Sequence, residues 1–344
     1  MKAVAKLAPK PGALELIDIP IPKRREGEVL LRTLAAGICG TDVSLWHWRE
    51  SIGATYSPEF PVVLGHEFAG EVVDCDPNAR VAIGDIVAVN PNVGCGQCIY
   101  CNLGRPTLCD QRKFMGGNLN GGWAEYVAVP LPNCYRLPEG ADPAVAPLLE
   151  PFTVAYHAVC ERVRPRGGDT VAVIGAGPIG LLILILAKAC GAEKVFISGL
   201  GADVERLTLA KRLGAIPVNV DEEDLTETIK QTSSQGANIV YETSAAPVAL
   251  QQGIQCVAKG GSIGVLGLCH RESSLESLPI VTKEISMIGS RGYNDTTWNR
   301  MVHLVKKLTP EMLQLVTHEL KLDQFETALH MVEQRSATKI ILRP

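Results

Sequence analysis

The apolar and polar positions along the chain change period partway through. Up to about residue 150 they form short β-type runs broken by glycine and proline, at 29–32, 71–74, 86–89 and 126–129. Such runs bounded by turn formers predict a mostly antiparallel β domain with irregular lobes. Near Glu150 and Pro151 the texture changes. Residues 170–174 are an unbroken apolar, β-branched run, 178–190 are helical and mostly apolar, 194–198 form a second strand and 204–213 a second helix. Residues 239–242 and 262–266 continue the series. Strands alternating with helices predict a parallel doubly wound sheet. The tail returns to a mixed pattern: 298–307 and 325–334 read as amphipathic helices and 339–342 as a closing strand. A strand after two helices can rejoin the first domain. The expected organisation is therefore a catalytic domain over 1–152 and 293–344, with a dinucleotide-binding domain, 153–292, inserted into it.

Length and charge narrow the function. A chain of 344 residues suggests about two domains. The net charge of −4 gives no general affinity for nucleic acid or an anionic membrane, so the expected partner is a small molecule. The longest apolar run, 179–189, falls short of the roughly 18 residues a membrane span needs, and reads as a buried helix. No secretory signal is visible at the start, so a cytoplasmic, reducing compartment is expected. The 11 cysteines are then thiols or metal ligands rather than disulfides.

Residues 170–180 read Thr-Val-Ala-Val-Ile-Gly-Ala-Gly-Pro-Ile-Gly. Gly175, Gly177 and Gly180 form G-x-G-x-x-G after a strand and at the mouth of a helix that begins at Pro178. The first glycine allows a tight turn, the second lets backbone approach a pyrophosphate, and the third lets helix and strand pack closely. The helix N-terminus offers its N–H groups to the phosphates. The acid expected about 20 residues on, to hold the ribose hydroxyls, is missing. The second strand ends Ser198-Gly199-Leu200, and the nearest carboxylate is Asp203. Without that carboxylate a 2′-phosphate is not repelled, and Ser198 and Arg206 are candidates to bind one. NAD and NADP both remain open, as does a solvated helix charge for Arg206.

Cys95-x2-Cys98-x2-Cys101-x7-Cys109 is the strongest metal signal. Four thiolates at short spacing suit a closed tetrahedral zinc site of structural role. The rival is an iron–sulfur cluster, whose ferredoxin motif continues C-x3-C-P, whereas here seven residues intervene and Asp110 follows. A zinc-ribbon module for DNA would need a basic stripe, and none accompanies the lobe. Three further segments carry residues suited to an open zinc site: Cys39 in Gly37–Asp42, His66 and Glu67 in Gly65-His-Glu, and Glu150 in Leu149-Glu-Pro. Each alone reads equally as a buried thiol, a satisfied histidine or a terminating carboxylate.

Taken together, in this order, these motifs resemble the zinc-containing medium-chain dehydrogenase/reductase family, almost end to end. The stretch from Thr41 to Trp48 with Pro61-Val-Val-Leu-Gly-His-Glu67 is similar to threonine dehydrogenases. Glu150-Pro-Phe-Thr-Val-Ala-Tyr-His157 is similar to the sorbitol and polyol enzymes. The resemblance implies an α/β chain with a GroES-like, mostly β catalytic domain around a Rossmann domain, forming a dimer or tetramer. It implies two zinc ions. Cys39, His66 and Glu67 would hold the catalytic one, with Glu150 nearby or exchangeable, and Cys95, Cys98, Cys101 and Cys109 the structural one. Thr41 would hydrogen-bond the substrate oxygen. Pro178, Ile179, Ser198, Gly199, Arg206, Leu266, Gly267, Leu268, Ser290 and Arg291 would line NAD or NADP with the glycine loop.

The implied reaction is hydride transfer between a secondary alcohol, such as a polyol or sugar alcohol, and NAD(P). An L-threonine or amino-alcohol dehydrogenase is the alternative, with Arg291 or Arg49 as candidate carboxylate-binding cations, each of which reads more simply as surface charge. A zinc-stapled scaffold without turnover is the reading from another class. Two departures bear on the choice. The proton relay's usual histidine is Ser44 here, so the proton would leave through Ser44, water, the ribose hydroxyls or His47. The histidine that threonine dehydrogenases tend to carry ahead of the cysteine lobe is Asn92. A third departure, Asp74-Cys-Asp-Pro77 in place of an expected glycine, has no clear functional reading.

Overall fold

The computed structural model describes residues 1–49 and 55–344. It divides into two compact units: Met1–Glu150 with Asn294–Pro344, and Pro151–Tyr293.

The first unit is β-rich. Its main sheet runs in the order Cys134–Arg136, Ile86–Val89, Glu67–Asp74, Glu28–Gly37, Lys339–Arg343 and Val316–Lys321, with Tyr126–Pro130 also paired to Glu28–Gly37. Alternating burial along Glu28–Gly37 and Tyr126–Pro130 directs one face of each strand inward. Val29, Leu31, Val127, Val129 and Trp123 are among the residues that fill the core. The closing strand joins this sheet antiparallel to Glu28–Gly37, with Ile341 opposite Gly37. Gly37 also stands opposite Glu67 on the neighbouring strand. One glycine thus sets two distant segments side by side. Chain ends that sequence pattern alone would leave loose are tied down: Lys2–Lys6 pairs with Leu14–Asp18 and with Val62–Val63.

The second unit is a six-stranded, all-parallel sheet in the order Ile216–Asn219, Lys194–Gly199, Thr170–Ile174, Ala237–Glu242, Val257–Val265 and Ser286–Gly289. Numbered by sequence this is 3-2-1-4-5-6, the doubly wound order whose strand ends bind dinucleotides where the winding reverses. Thr170–Ile174, at the centre, is buried along its whole length, which explains its unbroken apolar sequence. The apolar helix Pro178–Ala189 is buried from Gly180 to Ala187. It is a core helix. No described helix is long and apolar enough to cross a membrane.

Several strands carry too little pattern to be seen in sequence. Ile216–Asn219 contains a proline and Ser286–Gly289 is half exposed at the sheet edge. The tail helix is longer than its periodic stretch, spanning Asp295–Leu313 with Pro310 inside it.

Candidate metal centre and nucleotide site

Cys39 ends the strand Glu28–Gly37 region and caps the helix Gly40–Trp46. Asp42 reaches back to accept the Cys39 N–H at 2.8 Å, which fixes the turn. His66 follows Gly65, whose φ of +85° belongs to glycine and whose missing Cβ makes room for the Trp123 ring. Glu67 begins the next strand. Ligand atoms of Cys39, His66 and Glu67 lie within 4.8 Å of one another.

The surroundings of this group are electron-rich. Asp42 Oδ1 faces His66 Nδ1 at 3.6 Å, and neither atom has a hydrogen-bond partner among the described residues. A carboxylate behind a histidine is the arrangement that orients a metal-ligating ring. Burial works against a charged His66, yet Asp42 and Cys39 hold its pKa well above the ordinary histidine range. A pocket that draws a proton onto a buried ring is one where a cation fits. The donor set of one thiolate, one imidazole and one carboxylate suits zinc with a fourth position open.

Lys339, from the closing strand, donates to Glu67 Oε2 and to the Ile38 carbonyl at 2.9 Å. A Cβ at Gly37 would collide with the same Glu67 oxygen. One carboxylate oxygen is therefore held, and the other remains for a metal. Burial opposes the Lys339 charge, but Glu67 and the Cys39 sulfur raise its pKa and keep it protonated. Glu150 is buried and lies outside the 4.8 Å group.

Thr41 Oγ1 stands 3.8 Å from Cys39 Sγ, and its hydroxyl is among the groups that favour the ionised form of Tyr56. Burial raises the Tyr56 pKa, so the phenol stays neutral. Tyr56 stacks on Phe114 at 5.2 Å, Phe114 tilts against His66 at 5.1 Å, and the Arg112 guanidinium lies over both aromatic rings. Arg112 also donates to Asn92 at 2.5 Å. Ser44 is half-buried on the same helix as Thr41. His47 pairs with Glu333 at 2.8 Å, and its ring lies tilted against Trp46. Arg49 and Arg291 are exposed.

Asp42, Lys339, Tyr56 and Arg112 were not singled out by sequence reasoning. Asp42 had a signal, an acid three residues after an N-cap. Lys339 had none, since a lysine opening an apolar strand reads as an edge residue.

In the cysteine lobe, Cys95, Cys98, Cys101 and Cys109 also gather within 4.8 Å. Cys95 and Cys101 sulfurs are 4.0 Å apart. Tetrahedral zinc with bonds of about 2.3 Å sets sulfurs about 3.8 Å apart, so this spacing suits a single ion rather than a cluster. The Cys98 and Cys101 N–H groups point at the preceding thiols at 3.4 Å. N–H groups of Gln97 and Cys98 pull the Cys95 thiol down to about 6. A Cβ at Gly94 would meet the Cys101 sulfur at 2.6 Å, so the loop closes only around glycine.

In the second unit, Gly175 has a φ of +111°, and a Cβ there would meet Thr243 Oγ1 at 2.8 Å. Gly180 abuts the Gly175 carbonyl. Gly177 caps the helix, Pro178 occupies its first turn, and a Cβ at Gly177 would meet nothing within 4 Å. Space at that glycine is what an approaching phosphate needs. Ile179 is half-buried beside it. Ser198 is buried, its carbonyl accepting from Gly175. Gly199 ends the strand, packs against Asp203 and Ala176, and itself carries no carboxylate. Asp203 accepts from the Leu200 N–H and pairs with Arg206 at 3.0 Å. Arg206 is thus buried in an ion pair rather than a solvated charge. Leu266 and Gly267 donate to the Glu242 carbonyl, while Leu268 is exposed. The Ser290 hydroxyl is buried with no partner among the described residues. The glycine loop, Gly199, the 266–268 turn and Ser290 all follow the C-terminal ends of parallel strands, which is where this fold binds its ligand.

Comparison with known proteins agrees with both halves. Residues 25–139 match the family model described as an alcohol dehydrogenase GroES-like domain, and residues 178–307 the model described as a zinc-binding dehydrogenase. The chain is 37% identical to an L-threonine 3-dehydrogenase of Bacillus velezensis, covering 100% of this chain and 99% of that one. It is 33% identical to a D-arabitol-phosphate dehydrogenase of Enterococcus avium, covering 99% and 97%. Among solved structures, an alcohol dehydrogenase of Escherichia coli CFT073, complexed with NADH, superposes with a TM-score of 0.89 at 28% identity, covering 100% and 99%.

Proposed function

The chain belongs to the zinc-containing medium-chain dehydrogenase/reductase family, and from that premise we propose that it interconverts a small secondary alcohol and its ketone, with NAD(P) as hydride carrier. The observation that carries this reading is the convergence of Cys39, His66 and Glu67 in a buried, electron-rich pocket with Thr41 at its edge.

Cys39, His66 and Glu67 would hold the catalytic zinc, and the four lobe cysteines the structural one. Bound zinc would lower the pKa of an alcohol hydroxyl, and the nicotinamide would take the hydride. The chain's own residues do the rest. Asp42 orients the His66 ring, and Lys339 and Gly37 fix the Glu67 carboxylate. Thr41 hydrogen-bonds the substrate hydroxyl, takes its proton and passes one on to Ser44 or to Tyr56. His47 pairs with Glu333, and this reading gives it no part in the relay. Glu150 would act as a buried carboxylate near the site rather than as a member of the tight ligand group.

The absence of a carboxylate at Gly199 favours use of NADP alongside NAD. The buried, unpartnered Ser290 hydroxyl suits a cofactor hydroxyl. Apolar side chains exposed at Leu278 and Val281, near the edge strand Ser286–Gly289, support a homodimer or homotetramer.

A second reading is favoured by Arg112. A cation held over Tyr56 and Phe114 suits a substrate with an anionic group, such as an amino acid or a polyol phosphate. A panel of neutral polyols, polyol phosphates and L-threonine, run with NAD and with NADP, separates the readings. The protein should carry one zinc in each ligand group, and Cys39→Ser should lose one ion and all turnover while remaining folded. Full turnover by that variant refutes the assignment.

A further inference from the structure

The second unit buries a carboxylate that the proposed chemistry leaves without a task. Glu242 ends the strand Ala237–Glu242, which pairs with Thr170–Ile174 where the winding of the sheet reverses. Its side chain is buried. Oε1 accepts from the Ser244 N–H at 2.7 Å, the Ser244 hydroxyl at 2.8 Å and the Ala245 N–H at 2.9 Å. Three donors converging on one oxygen suit an ionised carboxylate. The other oxygen, Oε2, lies against Gly267, where a Cβ would collide with it. The Glu242 carbonyl accepts from the Leu266 and Gly267 N–H groups.

These bonds hold a turn that the backbone resists. Ala245 has a φ of +56°, in the left-handed region that a Cβ disfavours. Its N–H, bonded to Glu242, keeps it there. Inside the same turn, Thr243 Oγ1 donates to the Ile174 carbonyl at 3.0 Å and to the Gly175 carbonyl at 3.2 Å. Glu242 thus joins the turn after the fourth strand to the 266–267 turn, and Thr243 joins it to the glycine loop.

The doubly wound fold divides a dinucleotide between its two halves. The loop after the first strand takes the pyrophosphate and the end of the second takes the adenine-side ribose. Strands four to six remain for the nicotinamide half, and Glu242 stands at the first of those strand ends. The oxidised nicotinamide ring carries a positive charge, and the reduced ring carries none. A fixed negative charge in a buried crevice therefore acts on one form and not on the other. Granted nucleotide binding at the glycine loop, we propose that Glu242 is a positioning residue that shapes the nicotinamide half of the crevice and makes it prefer the oxidised carrier. Its bonds to residues 244 and 245 set the backbone, and its charge sets the preference.

The test measures dissociation constants for NAD⁺, NADH, NADP⁺ and NADPH by calorimetry, on the full-length, zinc-loaded protein without substrate. Glu242→Gln keeps an oxygen for the three donors and removes the charge. It should weaken the oxidised form of the carrier by about tenfold and leave the reduced form within about twofold. Glu242→Ala should weaken both forms and lower the unfolding midpoint. Adding Ala245→Gly should recover part of that midpoint, because glycine adopts the left-handed turn unaided, while the oxidised form stays weakly bound. The Glu242→Gln shift should also appear in the Ala245→Gly background, where the turn no longer depends on the bond. A Glu242→Gln protein that binds both forms as the parent does, or weakens both equally, overturns the proposal and leaves nucleotide binding standing. A parent protein that binds none of the four overturns both.

Discussion

Lys339 and Glu67 stand 272 positions apart in the chain, yet their side chains form a buried ion pair beside Cys39 and His66. The pair exists because Gly37 lies opposite Glu67 on one side and Ile341 on the other. Removing one partner strands a buried charge, at a cost of about 3–5 kcal/mol. Lys339→Met should therefore lower stability by about that amount and weaken zinc retention at the Cys39 group, leaving the cysteine-lobe ion in place. Lys339→Arg should restore much of both. Metal analysis after mild chelation, with denaturation curves, reads the two effects. Unchanged zinc content in Lys339→Met would mean that Glu67 needs no such anchor.

That pair also marks the limit of what the sequence reveals. The glycine loop and the four-cysteine lobe are legible because each is a local device: the backbone turn, the helix start and the ligand spacing fall within one short segment. Cys39, His66 and Glu67 could be grouped only through resemblance, since no spacing rule joins them. Asp42 and Lys339 act on those ligands from the adjoining turn and from the far end of the chain. Their roles arise from side-chain approach and sheet register, and neither is written in hydrophobic period. Arg206, whose position near the second strand suggests a cofactor contact, pairs with Asp203, an interaction that sequence did not point to. The edge strand Ser286–Gly289, half exposed on both faces, has no alternation to detect.

The Thr41 hydroxyl acts on the Tyr56 phenol, favouring its ionised form, which makes Tyr56 a candidate step for the substrate proton in place of the missing histidine at Ser44. Tyr56→Phe keeps the ring stacked on Phe114 and deletes only the relay. Its kcat should fall at least about tenfold, with KM little changed, since proton transfer of this kind contributes large rate factors. The loss should shrink at high pH, where solvent hydroxide can take the proton. A pH–rate profile parallel to the parent's, at full height, would assign the relay to Ser44 and water alone.

Lys6 gives a pH-dependent stability. It is fully buried, and its ammonium donates to the carbonyls of Lys10, Gly12 and Trp46, the last residue of the helix that carries Thr41. Burial pulls its pKa from 10.5 down to about 8. Below pH 8 both folded and unfolded chains are protonated, and the cost of burying the charge is fully present. Between pH 8 and 10.5 the unfolded chain holds more protons, so this residue's contribution rises with pH. From pH 8 to 9.5 the gain is about 2 kcal/mol at most. Lys6→Met should lose that slope. Urea unfolding of both proteins at pH 7 and 9.5 should show the parent gaining on the variant at the higher pH.

Gly199 closes the strand where a ribose-binding acid is expected, and a Cβ there would sit 3.2 Å from Asp203 and 3.3 Å from Ala176. The contacts are tight but yield to small shifts. With no carboxylate in place, kcat/KM for NADP should fall within about tenfold of that for NAD. Gly199→Asp restores an acceptor for the ribose hydroxyls and repels a 2′-phosphate. It should raise the NAD:NADP ratio by tenfold or more, as one charge-assisted hydrogen bond of about 1.5–3 kcal/mol would. A ratio unmoved by the new acid would show that the nucleotide's ribose lies elsewhere.

Arg112 decides between neutral and anionic substrates. Its guanidinium lies 6.0 Å from the Tyr56 ring centre and 5.0 Å from that of Phe114, whose ring in turn meets His66. A charged group on the substrate could pair with it, and such a pair contributes about 1.5–3 kcal/mol. Arg112→Ala should then raise KM for a polyol phosphate or L-threonine by about 10–100-fold and leave neutral polyols nearly unchanged. Arg112→Lys, which keeps the charge but loses the planar stack on Phe114, should fall between the two. Equal losses for charged and uncharged substrates would assign Arg112 to packing of the aromatic cluster and favour a neutral polyol.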